Sequence, residues 1–441
     1  VAVYYVYSGA GGSANGSSWA NAFTTLTAAF AVEVAGDTLY VAHDHSESTA
    51  SAVTLTSSGT VSNPTKVICV NRAGSVPPVS ADRRATAQVA TTGANAITYN
   101  GFAHYDGIIF SAGNGASSAN HVLAGTAVAA PWLRFDNCSL RCAGTGGTSR
   151  IMIGGISGYG TYVELNNTTV SFANVSASIV VGGFLRWRNT VSALLGTIPT
   201  SLLQSNASFG GQFECVGVDF SAAGAGKTLV LGAQTAIAVS YKFIDCKLHA
   251  SVTKSAVPPS HGSTEVDFIR SGSSGVNYTV HRHRVSGLLI EETTIVRTGG
   301  ASDGTTPISW KVVTTADCNY SMPFECPPIA IWNDTDGSAV TATVEGVWGG
   351  GAVPNDDDVW LDVEYLGDAS SPQGSFVNDG KADLLATAAG QTSSSATWGG
   401  STTKFKLNVT FTPQQKGWVY ARVKCAKASS TFYIDPLITL T

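Results

Sequence analysis

Leu133-Arg134-Phe135-Asp136-Asn137-Cys138-Ser139-Leu140 and Val163-Glu164-Leu165-Asn166-Asn167-Thr168-Thr169-Val170 read alike: apolar and polar residues alternate, an Asn interrupts them, and the apolar residues resume. The same segment returns at Tyr105 to Phe110, Leu185 to Val191, Phe213 to Phe220, Phe243 to Leu248 and Leu289 to Ile295. With the turn residue as phase marker, the copies fall at 107, 137, 167, 189, 217, 245 and 292, at intervals of 30, 30, 22, 28, 28 and 47 residues. All but the last interval are repeat-sized, and no long helix separates the copies. The alternation is the period of a half-buried strand, and the Asn, Gly or Asp supplies a bend that β-branched neighbours resist. One coil alone cannot bury its apolar face, so the copies must stack into a parallel β-solenoid. In the long last interval, Ser255 to Gly275, with Pro258, Pro259 and a Ser/Gly tract, predicts a loop thrown out from the solenoid wall.

Composition supports many short strands. Charged residues are only 12% of the 441 residues, against roughly 25% in an average soluble protein, so Ser, Thr, Asn and 48 Gly carry much of the polar surface. A hydrophobic share of 44% excludes a disordered chain. The net charge of −5 and the absence of any Lys/Arg run longer than two exclude the electrostatic footprint of a nucleic-acid binder. No apolar stretch reaches the ~18 residues of a membrane span, and Val1-Ala2-Val3-Tyr4-Tyr5 lacks a basic leader, so the chain reads as soluble and unprocessed. The cysteines are widely spread and several sit inside apolar strands, as in Val67-Ile68-Cys69-Val70, which predicts buried thiols. Cys138 with Cys142, and Cys318 with Cys326, are the close pairs; neither has zinc-ribbon spacing, and pairing of Cys318 with Cys326 is left open.

Both ends depart from the repeat. Trp19, Phe23, Leu26 and Phe30 fall on one face of a helix of three to four turns, a plug for the first coil. Beyond Cys326-Pro327-Pro328 the strands lengthen: Thr341 to Trp348, Val359 to Leu366, Lys404 to Phe411 and Trp418 to Cys425 alternate between Gly, Asn, Asp, Ser and Pro clusters. That pattern predicts an antiparallel β-sandwich, jelly-roll or immunoglobulin-like, over 328–441, after a β-helix over 1–327. The expected fold is therefore all-β: a parallel β-helix with a short N-terminal capping helix, followed by the sandwich.

Ser18-Trp19-Ala20-Asn21-Ala22-Phe23 followed by Ala35-Gly36-Asp37-Thr38-Leu39-Tyr40-Val41 resembles the N-terminal cap of pectin-lyase-like right-handed β-helix proteins. Ala35 to Leu55 with Asn63-Pro64-Thr65-Lys66-Val67-Ile68-Cys69-Val70, and in the C-terminal part Ile329 to Asn333, Val359 to Gly367 and Tyr433 to Pro436, are similar to structural proteins of tailed bacteriophages. The resemblance covers most of the chain. It implies a right-handed solenoid on the surface of a virion, partnered with other virion proteins of capsid or tail and assembled as a homo-oligomer, a trimer. Because the first coil begins near residue 1, a capsid decoration or head fibre is the leading expectation. The alternative is a tail spike or fibre that binds, and in the enzymatic case cleaves, host surface polysaccharide, with Trp132, Trp187 and Trp310 as sugar-stacking candidates.

No catalytic, cofactor-binding or metal residue is assigned from the sequence, and no cofactor is expected. Gly224-Ala225-Gly226-Lys227-Thr228 imitates a phosphate loop but has Ser221 where Gly is needed, so a turn between coils is the better account. His43-Asp44-His45 with Glu47 offers imidazole and carboxylate ligands, yet an exposed polar loop explains it as well. His281-Arg282-His283-Arg284 alternates His and Arg on opposite faces and is the first candidate for a proton-sensitive contact. Asn333 to Gly337 and Asn355 to Asp358 look like calcium loops but lack the ligand spacing, which leaves turn chemistry. Asp136, Glu164, Glu214, Asp245 and Glu291 stand near repeat turns, where adjacent coils could align the carboxyl pair that glycoside hydrolysis needs.

Overall fold

The computed structural model describes the chain except residues 124–130, 155–160, 190–191, 206–210, 232–238, 255–262, 272–277, 284–285, 292–308, 317, 322, 367–373, 380–382, 386–403 and 436–437. It divides into two compact units, Val1–Val276 and Asn277–Thr441.

The first unit is a parallel β-helix. The coils stack strands in three sheets, here A, B and C, each strand pairing in parallel with its equivalent one coil away; after Leu194–Gly196, sheet B continues as single bridges at Asp219 and Lys247. In sheet A, Ala103–Asp106, Trp132–Asp136, Tyr162–Asn166, Phe184–Arg188, Gln212–Val216, Val239–Ile244 and Ser263–Ile269 follow one another. Ile108–Ala112, Ser139–Cys142 and Thr169–Phe172 stack likewise in sheet B, and His121–Leu123, Arg150–Ile153 and Ser178–Val181 in sheet C. The phase markers at 107, 137, 167, 217 and 245 form the corner that follows each sheet A strand. Gly107, Asn137, Asn167, Gly217 and Asp245 all have left-handed backbone, φ 77°, 52°, 47°, 67° and 53°, and Arg270, φ 46°, takes the place in the next coil. Only Gly fits at 107: a Cβ there would lie 1.9 Å from the Arg84 carbonyl oxygen.

The residue after each corner points inward and explains several cysteines. Cys138 Sγ, Thr168 Oγ1, Cys246 Sγ and Ser271 Oγ donate to the carbonyls of Tyr105, Phe135, Cys215 and Phe243, one coil back, at 3.6, 2.9, 3.6 and 2.9 Å. A thiol here is a weak, compact hydrogen-bond donor doing the work of a hydroxyl. All eight cysteines are buried and free, so Cys318 and Cys326 are unpaired. The interior is a register-aligned ladder through Tyr105, Phe135, Leu165, Trp187, Cys215, Phe243 and Phe268. Tyr105 stacks on Phe135 at 4.9 Å, and Phe243 on Phe268 at 4.8 Å.

Three expectations change. The capping helix is a single turn and a half, Leu26–Phe30, because Phe23 is held in an extended bridge: its N–H donates to Tyr5 O at 2.9 Å and its carbonyl accepts from Tyr7 at 2.8 Å. Thr25 caps the helix, and Leu26 and Phe30 are buried at the end of the coil stack. Ser255 to Gly275 is not one excursion, since Ser263–Ile269 inside it is a solenoid strand with Val266 and Phe268 buried. The last apparent repeat is not a coil: Ser286–Glu291 pairs antiparallel with Tyr278–His283 and with Ser309–Thr314, so the alternation was real but the partner was a hairpin.

The second unit consists of antiparallel sheets. Val340–Gly351 pairs with Lys404–Phe411 and Ser430–Ile434, the last of which also takes Ser309–Thr314. The facing sheet centres on Gly417–Cys425, flanked by Ile329–Asn333 and Val359–Leu366. Val344, Leu407 and Phe432 of one sheet and Leu361, Val419 and Val423 of the other close one apolar core. Pro327 and Pro328 lie between Phe324–Glu325 and Ile329–Asn333, and both of these strands pair with Gly417–Cys425.

Candidate functional site

Parallel stacking without slippage has a consequence outside the barrel as well as within it. Alternate residues of sheet A face outward, and register aligns them in columns about 4.8 Å apart per coil. One column reads Lys66, His104, Arg134, Glu164, Arg186, Glu214, Lys242 and Asp267. Beside it runs Trp132, Tyr162 and Phe184, all part-exposed. Tyr162 lies flat on Phe184 at 4.8 Å and 6°, and Trp132 meets Tyr162 edge-on at 6.3 Å. On the corner side Asp106, Asp136 and Asn166 complete the face.

The charges are paired from coil to coil. Arg186 Nε donates to Glu214 at 2.8 Å, and Tyr162 OH donates to Glu164 at 2.9 Å, with Arg134 4.0 Å away. Asp136 is the hub: it accepts from His104 Nε2 at 2.7 Å, Arg134 Nη2 at 2.9 Å and Asn166 Nδ2 at 2.9 Å. Burial opposes ionisation of Asp136, but those three donors outweigh it and hold the carboxyl well below the usual range. Asp136 is therefore a fixed anion, suited to accepting hydrogen bonds from hydroxyls and unsuited to donating a proton. Around the corner, Asn137, Ser139, Arg141, Asn167 and Thr169 line a cleft of about 310 Å³. Arg141 Nε donates to Ser139 Oγ at 3.2 Å.

Of the carboxylates singled out from the sequence, Asp136, Glu164 and Glu214 come together on this face. Asp245 sits at the exposed corner, paired with Arg270 at 2.7 Å, and Glu291 belongs to the antiparallel hairpin. Of the three tryptophans named as sugar-stacking candidates, Trp132 faces outward on the solenoid. Trp187 is fully buried, its Nε1 donating to Thr168 O at 3.1 Å, and Trp310 is buried in the core of the second unit. Tyr162, Phe184 and the Arg partners were missed. The signal was available, because each aromatic of the column stands five residues before its phase marker, and each charge three before.

The remaining motifs resolve as local chemistry. His45 is buried, its Nδ1 accepting from Ser8 N at 3.0 Å and its Nε2 3.3 Å from Glu47, while His43 faces Asp44 at 3.8 Å. Among the described residues no cluster of three or more His, Cys, Asp or Glu could hold a metal. Lys227 Nζ donates to Ile198 O at 2.7 Å from a turn whose Gly226 has φ 72°, which accounts for the phosphate-loop imitation. Asn333 closes an Asx turn on Thr335, and Asp358 accepts from Asn355 N at 2.7 Å. The side chains of His281, Arg282, His283 and Arg284 lie outside the described residues.

No protein-family profile matches the sequence, and no curated protein matches it. Among solved structures the chain has distant similarity to phage tailspikes. One is the enzymatically active domain of tailspike protein 4 of bacteriophage CBA120, 9% identical over 94% of this chain and 65% of that one, TM-score 0.23. This chain thus spans just under two thirds of that protein's length. Another is the tailspike protein of Acinetobacter phage vB_ApiP_P1, 13% identical over 92% of this chain and 79% of that one, TM-score 0.28. At these values the similarity carries no argument about activity.

Proposed function

We propose that this chain is a tailspike-type component of a phage virion that binds host surface polysaccharide along the outer face of sheet A. The observation that carries this reading is the aromatic column Trp132, Tyr162 and Phe184 running beside the column of alternating cations and carboxylates. Stacked rings offer apolar faces to the C–H faces of pyranoses, and paired guanidinium and carboxylate groups hydrogen-bond sugar hydroxyls without a large net charge to desolvate. A purely mechanical head decoration needs the solenoid but has no use for a coherent ring column, so the face favours the tail reading. The proposal is for binding. Asp136, held ionised, lacks the raised pKa of a general acid.

Binding is measured with purified polysaccharide from the host surface. Trp132→Ala and Tyr162→Ala, at part-exposed positions, are each expected to weaken it by about tenfold with little change in melting temperature. Unchanged affinity in both variants sinks the proposal. New reducing ends or unsaturated products in the same incubations would replace binding with cleavage. Electron microscopy of particles labelled on this chain is expected to mark tails, and labelled heads would restore the decoration role. A homotrimer, implied by the resemblance in sequence, is checked by light scattering.

A further inference from the structure

The second unit carries an aromatic surface that the proposed solenoid site does not use. Trp332 and Trp418 are directly opposed across Ile329–Asn333 and Gly417–Cys425, and Tyr420 follows two residues on, opposite Ala330. All three point away from the core, 55%, 52% and 46% exposed. The two indoles meet at 5.6 Å and 82°, so one ring is the wall and the other the floor of a corner. Exposed Ala330 leaves the space beside them open. Three large aromatics side by side in water are uncommon on a soluble protein and mark a recognition surface.

We infer that this corner is a second carbohydrate site, one for a neutral oligosaccharide. Two observations select that occupant. The first is charge: Arg422 pairs with Glu325 at 3.1 Å, Lys424 with Glu325 and Asp362 at 2.8 Å each, and Lys416 with Asp334 at 3.1 Å, and the exposed carboxylate of Glu364 stands opposite Tyr420. The corner thus has no surplus cation for an anionic ligand, while its charged groups still offer hydrogen bonds to the hydroxyls of a neutral one. The second is size. Three half-exposed aromatic rings present on the order of 300–400 Å². A stable second copy of the chain would need about 800 Å² per partner, whereas a few sugar rings need no more than the corner supplies.

The site is independent of the solenoid face, and the test separates the two. Titration calorimetry of the full chain uses neutral hexasaccharides: maltohexaose, cellohexaose, chitohexaose and mannohexaose. At least one is expected to bind, about tenfold more weakly to Trp332→Ala and to Trp418→Ala, with Trp418→Tyr retaining most of the affinity. Thermal melts of the variants exclude unfolding as the cause. If no hexasaccharide binds, or if binding persists in both alanine variants, the inference fails. It fails equally if sedimentation shows self-association of the wild type that Trp418→Ala abolishes, since the corner is then an interface between copies.

Discussion

At the scale of single residues, His121 shows how tightly the coil interior constrains protonation. It is fully buried, its Nδ1 accepting from Tyr99 OH at 3.1 Å and its Nε2–H donating to Arg141 O at 2.9 Å, which assigns the neutral imidazole. Burial lowers its pKa to about 4, with the bond to the Arg141 carbonyl opposing. The unfolded chain binds this proton near pH 6.5 and the folded chain only near 4, so stability is intact above 6.5 and lost as pH falls between these values. The loss reaches about 3 kcal/mol by pH 4. Denaturant melts across that range should show the slope in the wild type and a flatter profile in His121→Gln. Equal slopes would mean that other groups set the acid limit. The corner residues teach a related lesson: Cys, Thr, Cys and Ser at 138, 168, 246 and 271 look unrelated until the shared carbonyl partner one coil back explains them.

At the scale of elements, coils are the units of exchange. Asn137–Asn166 spans one coil of thirty residues, and its removal joins Asp136 to Asn167 with the corner chemistry preserved. Phe135 then faces Trp187 in the core, and Trp132 faces Phe184 outside. Because repeat stability is a sum of coil and interface contributions, the shortened chain should fold cooperatively with a lower melting temperature and weaker polysaccharide binding. A chain that fails to fold would show that these coils are not interchangeable. The repeat was legible because its strands alternate and its corners demand left-handed backbone, a requirement that few residues meet. What escaped was anything set by pairing partners rather than by local pattern. Leu289-Ile290-Glu291 alternates like a coil yet joins a hairpin, and Val266-Asp267-Phe268 was hidden beside a Ser/Gly tract. The outer face needed comparison across copies, because Trp132, Tyr162 and Phe184 look unrelated within their own segments. The aromatic corner of the second unit has no repeat to reveal it, and depends on an antiparallel pairing across some eighty residues.

At the scale of the whole molecule, each unit has its own core. Among the described residues, Val344, Leu407, Leu361 and Val423 close the second. Asn277–Thr441 is of a size that folds alone, so the isolated segment should give a cooperative melt and keep the affinity of the Trp332 and Trp418 corner. Loss of cooperativity in isolation would show that it folds only on the solenoid. A last consequence follows from the buried thiols. Burial pushes the Cys142 thiol up to about 12, and the other cysteines are equally shielded from solvent. The native chain should therefore be silent towards alkylating reagents, and its mass should rise only as molecules open. The rate of that rise is a built-in clock of unfolding, and because both units carry cysteines, peptide mapping reads it for each separately.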